Sequence, residues 1–167
     1  MIKYVRYWGE IFGQFGSSGE RPSDASLNLA TKLVREESTE LINAVDEVIR
    51  TKSNDFSEVA DGIGDTLWVT ILLAEKLGID SEELMRKVYE SNMSKVCTTE
   101  EIADITIRAY ETGEHWDKPG EIILAAKRQI GDYWLVFRRS DEKILKSIKY
   151  IPLDLSGYKN MFTEKGA

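Results

Sequence analysis

Between residues 27 and 49, apolar side chains return every three or four positions, at Leu27, Ala30, Val34, Leu41, Val45 and Val48, which is the period of an amphipathic helix. A second helical stretch covers residues 55–77. Beyond Asp65 its LWVTILLA run is apolar on nearly every side, so this helix is expected to be the most buried of the chain. The loop FGSSGERPSD precedes the first of these helices, with Ser23 or Asp24 as its cap, and a turn at residues 51–54 separates the two. Gly62 and Gly64 interrupt the second at about 1 kcal/mol each relative to alanine, which points to close helix packing there. Gly78 ends it, and Asp80 or Ser81 caps a third helix that closes on the phrase SNMSK. A further helix starts after Thr98, where Glu101 completes a capping box. From there the period changes to two: residues 122–129, 133–138 and 144–150 read as three strands separated by turns. The expected fold is mainly α with a small C-terminal antiparallel β meander, in one domain over residues 1–167: a helical core to about 112 and a β appendage over about 119–155.

Acidic residues break the apolar pattern in an informative way. Glu37 falls within the apolar series of the first long helix, with Glu36 and Glu40 toward one edge at about 100° per residue. On the second, Glu58, Asp61 and Asp65 share a stripe about 60° wide. Both clusters are expected to face inward, where carboxylates repel one another unless a cation compensates them. A pool of oxygen donors alone suits a hard ion, Mg²⁺ first and Mn²⁺ second. The competing reading is a set of solvated edges or ion pairs with Lys32, Arg35 or Arg86.

EE-x-x-E over residues 36–40, E-x-x-D from Glu58 to Asp61, the surrounding EVADGIGDTLWV, LGID, SNMSK and the tail phrase ILKSIKYIPLDL together cover nearly the whole chain. This pattern resembles the all-α nucleoside triphosphate pyrophosphohydrolase superfamily, which includes MazG-like proteins, dimeric dUTPases and phosphoribosyl-ATP pyrophosphohydrolases, and within it the resemblance is closest to the phosphoribosyl-ATP pyrophosphohydrolase-like branch. The resemblance implies that Glu37, Glu40, Glu58 and Asp61 are Mg²⁺ ligands. It makes Glu36 a further acidic residue able to orient or deprotonate the attacking water, and Asn92 and Lys95 phosphate contacts. Trp8 and Gln14 precede the metal helices where related enzymes build a base pocket, although ordinary core packing explains an aromatic there equally well. The implied reaction converts a nucleoside triphosphate, with dGTP, dUTP or dCTP as candidates, to a monophosphate and pyrophosphate. The KH-x-x-K segment of histidine-pathway enzymes is absent, which ranks phosphoribosyl-ATP behind these nucleotides.

Composition narrows the partners. A formal charge of -7 argues against stable nucleic-acid binding. The LWVTILLA run is too short, and too closely flanked by Asp65 and Glu75, to span a membrane. The N-terminal MIKYVRYWGEIFGQF is polar and aromatic at helical spacing and carries no secretory apolar stretch, and a single cysteine, Cys97, suits a reducing, cytoplasmic setting. Two long helices and a meander cover too little of residues 65–77, so a homodimer or homotetramer with a shared four-helix core is expected. His115, without a second His or Cys nearby, reads as structural.

Overall fold

The helical periods become five α-helices in a computed structural model that describes residues 2–15, 19–159 and 161–162. They are α1 (Ile2–Ile11), α2 (Asp24–Thr51), α3 (Ser57–Lys76), α4 (Ser81–Met93) and α5 (Glu100–Thr112), followed by β1 (Ala125–Ile130) and β2 (Tyr133–Arg138). The expected caps are largely in place. Ser23 accepts the Ser26 N–H, and Asp80 Oδ1 accepts the N–H groups of Glu82 and Glu83. For α5 the cap is Thr99, which accepts the Ile102 N–H, one residue later than the capping box suggested. The chain gathers into two compact units, Met1–Leu84 with Gly157–Ala167, and Met85–Ser156.

In the first unit, the short connection between α2 and α3 folds them back as an antiparallel pair, with Leu41 beside Gly62 near the middle and Ser26 beside Lys76 at one end. α1 packs on α3: Trp8 meets Trp68 edge-on, with ring centroids 5.9 Å apart, and Arg6 forks onto Glu75 at 2.7 and 3.1 Å. The expectation that α3 would be the most buried helix is not met. Only Gly62 and Leu72 of α3 are buried, whereas Ile63 and Leu67 are exposed, as are Ile42, Val45 and Ile49 of α2. Two helices meet along a single seam, so apolar residues away from it have nothing to pack on within one chain. The helix with the most buried residues is α5, through Ala103, Thr106 and Tyr110.

The second unit packs α5 against the β1–β2 hairpin around Cys97, Ala103, Tyr110, Ile123, Ala125, Val136 and Leu145. β1 starts at Ala125 rather than residue 122, and Gly131, at φ 56°, makes the two-residue turn to β2. The third strand expected at 144–150 is absent: Ile144 makes one bridge to Phe137, and the sheet has two strands. The cause is competition for backbone donors. Leu145 still donates its N–H to the Val136 carbonyl of β2, but the N–H of Lys146 goes to the Tyr110 hydroxyl, that of Ser147 to the Lys95 carbonyl and that of Ile148 to Thr106 Oγ1, so from Lys146 to Ile148 this segment is held by α5 and the residues just after α4.

Candidate active site

The two acidic motifs are brought together by the closest approach of α2 and α3. Gly62 is buried against the backbone of Leu41, where a Cβ would lie 3.0 Å from Leu41 Cα, 3.1 Å from its Cβ and 3.3 Å from its N. Glu40 immediately precedes Leu41 and Asp61 immediately precedes Gly62, so this contact fixes the separation of the two acid-bearing arms. Gly64 has nothing within 4 Å of the corresponding position, and close packing therefore explains one glycine of the pair and not the other.

The carboxylates do not face inward as their periodicity suggested. Glu36, Glu40, Glu58, Asp61 and Asp65 are exposed and Glu37 is half-buried, because they flank the helix seam instead of occupying it. They nevertheless act on one another across the pair. Partial burial raises the Glu37 carboxyl above its ordinary range, and the charges of Glu40, Asp65, Glu36 and Asp61 raise it further. Lys32 compensates Glu36 at 3.4 Å, whereas Arg86 pairs with Glu90. All donors here are carboxylate oxygens, the chemistry that suits Mg²⁺ or Mn²⁺. Among the described residues, no group of three His, Cys, Asp or Glu side chains stands close enough to enclose a metal ion. The acids thus present a shared negative field on two helices, suited in donor type to a hard cation but not placed close enough together to enclose one.

Asn92 and Lys95 belong to the second unit, at the end of α4 and just beyond it. Lys95 Nζ donates to Asn92 Oδ1 at 2.6 Å. With its carbonyl oxygen engaged, Asn92 keeps its NH₂ donors for another acceptor, and the ammonium keeps further N–H groups. Ser91 is anchored behind it, donating to the Ile151 carbonyl at 3.0 Å and lying 3.1 Å from the Tyr150 hydroxyl.

Trp8 is engaged in packing, stacked on Phe12 at 4.5 Å in addition to its contact with Trp68, and Gln14 donates its amide to the Phe12 carbonyl at 3.3 Å. Gln14 and Phe15, but not Trp8, line a large concavity in the first unit. His115 is buried and stacked on Tyr110 at 3.8 Å, with Nδ1 accepting the Asp117 N–H. Burial lowers its pKa, consistent with a structural role. Sequence periodicity had no means of finding the cations around that concavity, since Arg6, Arg21 and Lys76 come from three distant stretches of chain.

Comparison with known proteins places this geometry. Over 109 residues the chain is 35% identical to an uncharacterized protein of Acanthamoeba polyphaga mimivirus, a match covering 59% of this chain and 41% of that protein, so less than half of that relative's length is matched. No helix among the described residues is long and apolar enough to cross a membrane. Residues 30–104, which hold both acidic motifs together with Asn92 and Lys95, match the MazG-like family, and this stretch of the chain is accordingly MazG-like, consistent with the MazG-like nucleoside triphosphate pyrophosphohydrolase superfamily.

Proposed function

We propose that this protein is a metal-dependent nucleotide pyrophosphohydrolase that converts a (deoxy)nucleoside triphosphate to a monophosphate and pyrophosphate, with dGTP, dUTP or dCTP as candidate substrates in nucleotide-pool control. The observation that supports this reading is the acidic field centred on Glu37, built by EE-x-x-E on α2 and E-x-x-D on α3 inside a MazG-like segment. A triphosphate is repelled by that field unless divalent cations intervene, so Glu37, Glu40, Glu58 and Asp61 are assigned to holding Mg²⁺, for which Mn²⁺ substitutes. The ion supplies positive charge against the phosphates and acidifies water.

The remaining roles fall to the chain itself. Glu36 orients a water and accepts its proton. The water oxygen bonds to one phosphorus of the α–β anhydride, and the bridging oxygen leaves with the other. Lys95 and Asn92 bind phosphate oxygens through the donors that their mutual hydrogen bond leaves available. Gln14 is assigned to base recognition, and Trp8 to supporting that region through packing.

The exposed apolar residues Ile42, Val45, Ile49, Ile63 and Leu67 support a homodimer or homotetramer in which α2–α3 pairs from different copies form a four-helix core. A reducing cytoplasm is the setting that the single cysteine favours.

Incubation with a panel of ribo- and deoxyribonucleoside triphosphates plus Mg²⁺, with product identification, tests the reading. Monophosphate and pyrophosphate are expected, their formation abolished by chelation and by Glu40→Gln or Asp61→Asn in folded protein. Full turnover after exhaustive chelation contradicts the metal assignment. Cleavage of phosphoribosyl-ATP or a modified nucleotide alone reassigns the substrate, and tight nucleotide binding without any product favours a non-catalytic nucleotide-binding oligomer.

A further inference from the structure

The chain carries a net charge of -7, yet one concavity in the first unit gathers cations. It measures about 930 Å³, a volume in the range of small-molecule sites, and its lining includes Arg6, Arg21 and Lys76 against the carboxylates of Glu20 and Glu75. Glu75, with a side chain only 9% exposed, is already committed to Arg6 through the two-pronged pair. Arg21 spends one Nη2–H on the exposed Asp24 at 2.7 Å, which leaves other guanidinium donors available. Lys76 is the least compensated. Its Nζ donates at 3.0 Å to the neutral hydroxyl of Ser26, and among the described residues no carboxylate lies within ion-pair distance of it.

The position of this concavity separates it from the acidic field. Ser26 lies eleven residues before Glu37 on α2, about 16 Å of helix, and Lys76 lies fifteen residues after Asp61 on α3, about 22 Å. A phosphate group touching Lys76 is therefore not one that the acidic motifs handle. Its electrostatics also have the opposite sign. The acidic motifs attract phosphate only through a cation, whereas Lys76 and Arg21 attract it directly.

We infer that this concavity is a metal-independent binding site for a phosphate-bearing small molecule, held by Lys76 and Arg21. The ligand chemistry comes from two sources: pyrophosphate, bound through charge alone, or a nucleoside monophosphate, whose base would also engage the Phe15 ring on the same wall.

Calorimetric titration of the full chain in excess EDTA isolates the site, because without divalent metal the acidic field repels these ligands. Saturable binding of pyrophosphate or of a nucleoside monophosphate is expected, weakened by salt and reduced about tenfold or more by Lys76→Ala, as for loss of one charge-assisted contact. Lys76→Arg should retain it, and Glu40→Gln should leave it unchanged. Equal affinity for the two ligands assigns recognition to phosphate alone, and preference for the monophosphate adds the base. If Lys76→Ala fails to fold, Arg21→Ala, whose ion pair is exposed, carries the same expectation. Absence of binding to millimolar ligand, or binding equally strong in the Lys76 and Arg21 variants, overturns the inference. Because no step needs a metal or turnover, these outcomes are independent of whether the acidic motifs prove catalytic.

Discussion

Replacing Gly62 by alanine perturbs the contact that sets α2 against α3, and two effects of opposite sign compete. Alanine favours a helix interior over glycine by about 1 kcal/mol. Against this, the added methyl carbon meets Leu41 at 3.0 Å from Cα, 3.1 Å from Cβ and 3.3 Å from N. Two of these three atoms are helix backbone, which cannot swing away as the end of a side chain does, so the pair must separate by a few tenths of an ångström. Overpacking of this kind costs about 1–3 kcal/mol, leaving a net loss of about 1 kcal/mol. Gly64→Ala is the matched control, since it gains the same propensity term with nothing within 4 Å. Urea unfolding at neutral pH should therefore place Gly62→Ala below wild type and Gly64→Ala above it, with about 2 kcal/mol between the two variants. Mn²⁺ titration of the folded proteins extends the test to the site: separating the arms should weaken binding in the Gly62 variant and leave it intact in the Gly64 variant. A Gly62→Ala chain as stable as Gly64→Ala would refute the argument that this glycine sets the spacing of the carboxylates.

Glu37→Gln tests the acidic field by pH. Because partial burial and then Glu40, Asp65, Glu36 and Asp61 raise the Glu37 pKa, the folded state holds its proton more tightly, and the stability that this confers at low pH is lost as pH rises through the folded value. The variant should be more stable than wild type at neutral pH, the gap closing below the ordinary glutamate value of about 4.3; equal stability at both ends would exclude the field. His115 has the opposite sign. Burial lowers its pKa, so its contribution is present above the ordinary value of about 6.5 and is lost as pH falls from there toward the folded value, an acid limb that His115→Phe should flatten in urea titrations. Light scattering at micromolar concentration should show a dimer or tetramer, and Ile42→Glu with Leu67→Glu should dissociate it; an active, monodisperse monomer near 19.0 kDa would contradict the shared helical core.

Local chemistry was legible in the sequence wherever it acts over one or two turns. The apolar period located α2 and α3, Ser23 and Asp80 were readable as caps, and the two acidic motifs fell on the helices that carry them. These features depend on propensity, capping and spacing, which neighbouring residues decide between themselves. Periodicity also identified which face of each helix was unusual, but not what covered it. Glu37 lies in the apolar series and is half-buried, while Ile63 and Leu67 share the apolar pattern and stay exposed, because burial depends on partners that a single helix does not contain. The third strand failed for a related reason. Residues 144–150 alternate as a strand does, yet the backbone donors of Lys146, Ser147 and Ile148 found Tyr110, Lys95 and Thr106, each far away in the chain. Gly62 shows the division most plainly. The sequence marked it as an interruption costing helix stability, and only the approach of Leu41 in the folded protein distinguished it from Gly64, since the space beside a glycine is a property of whatever packs against it.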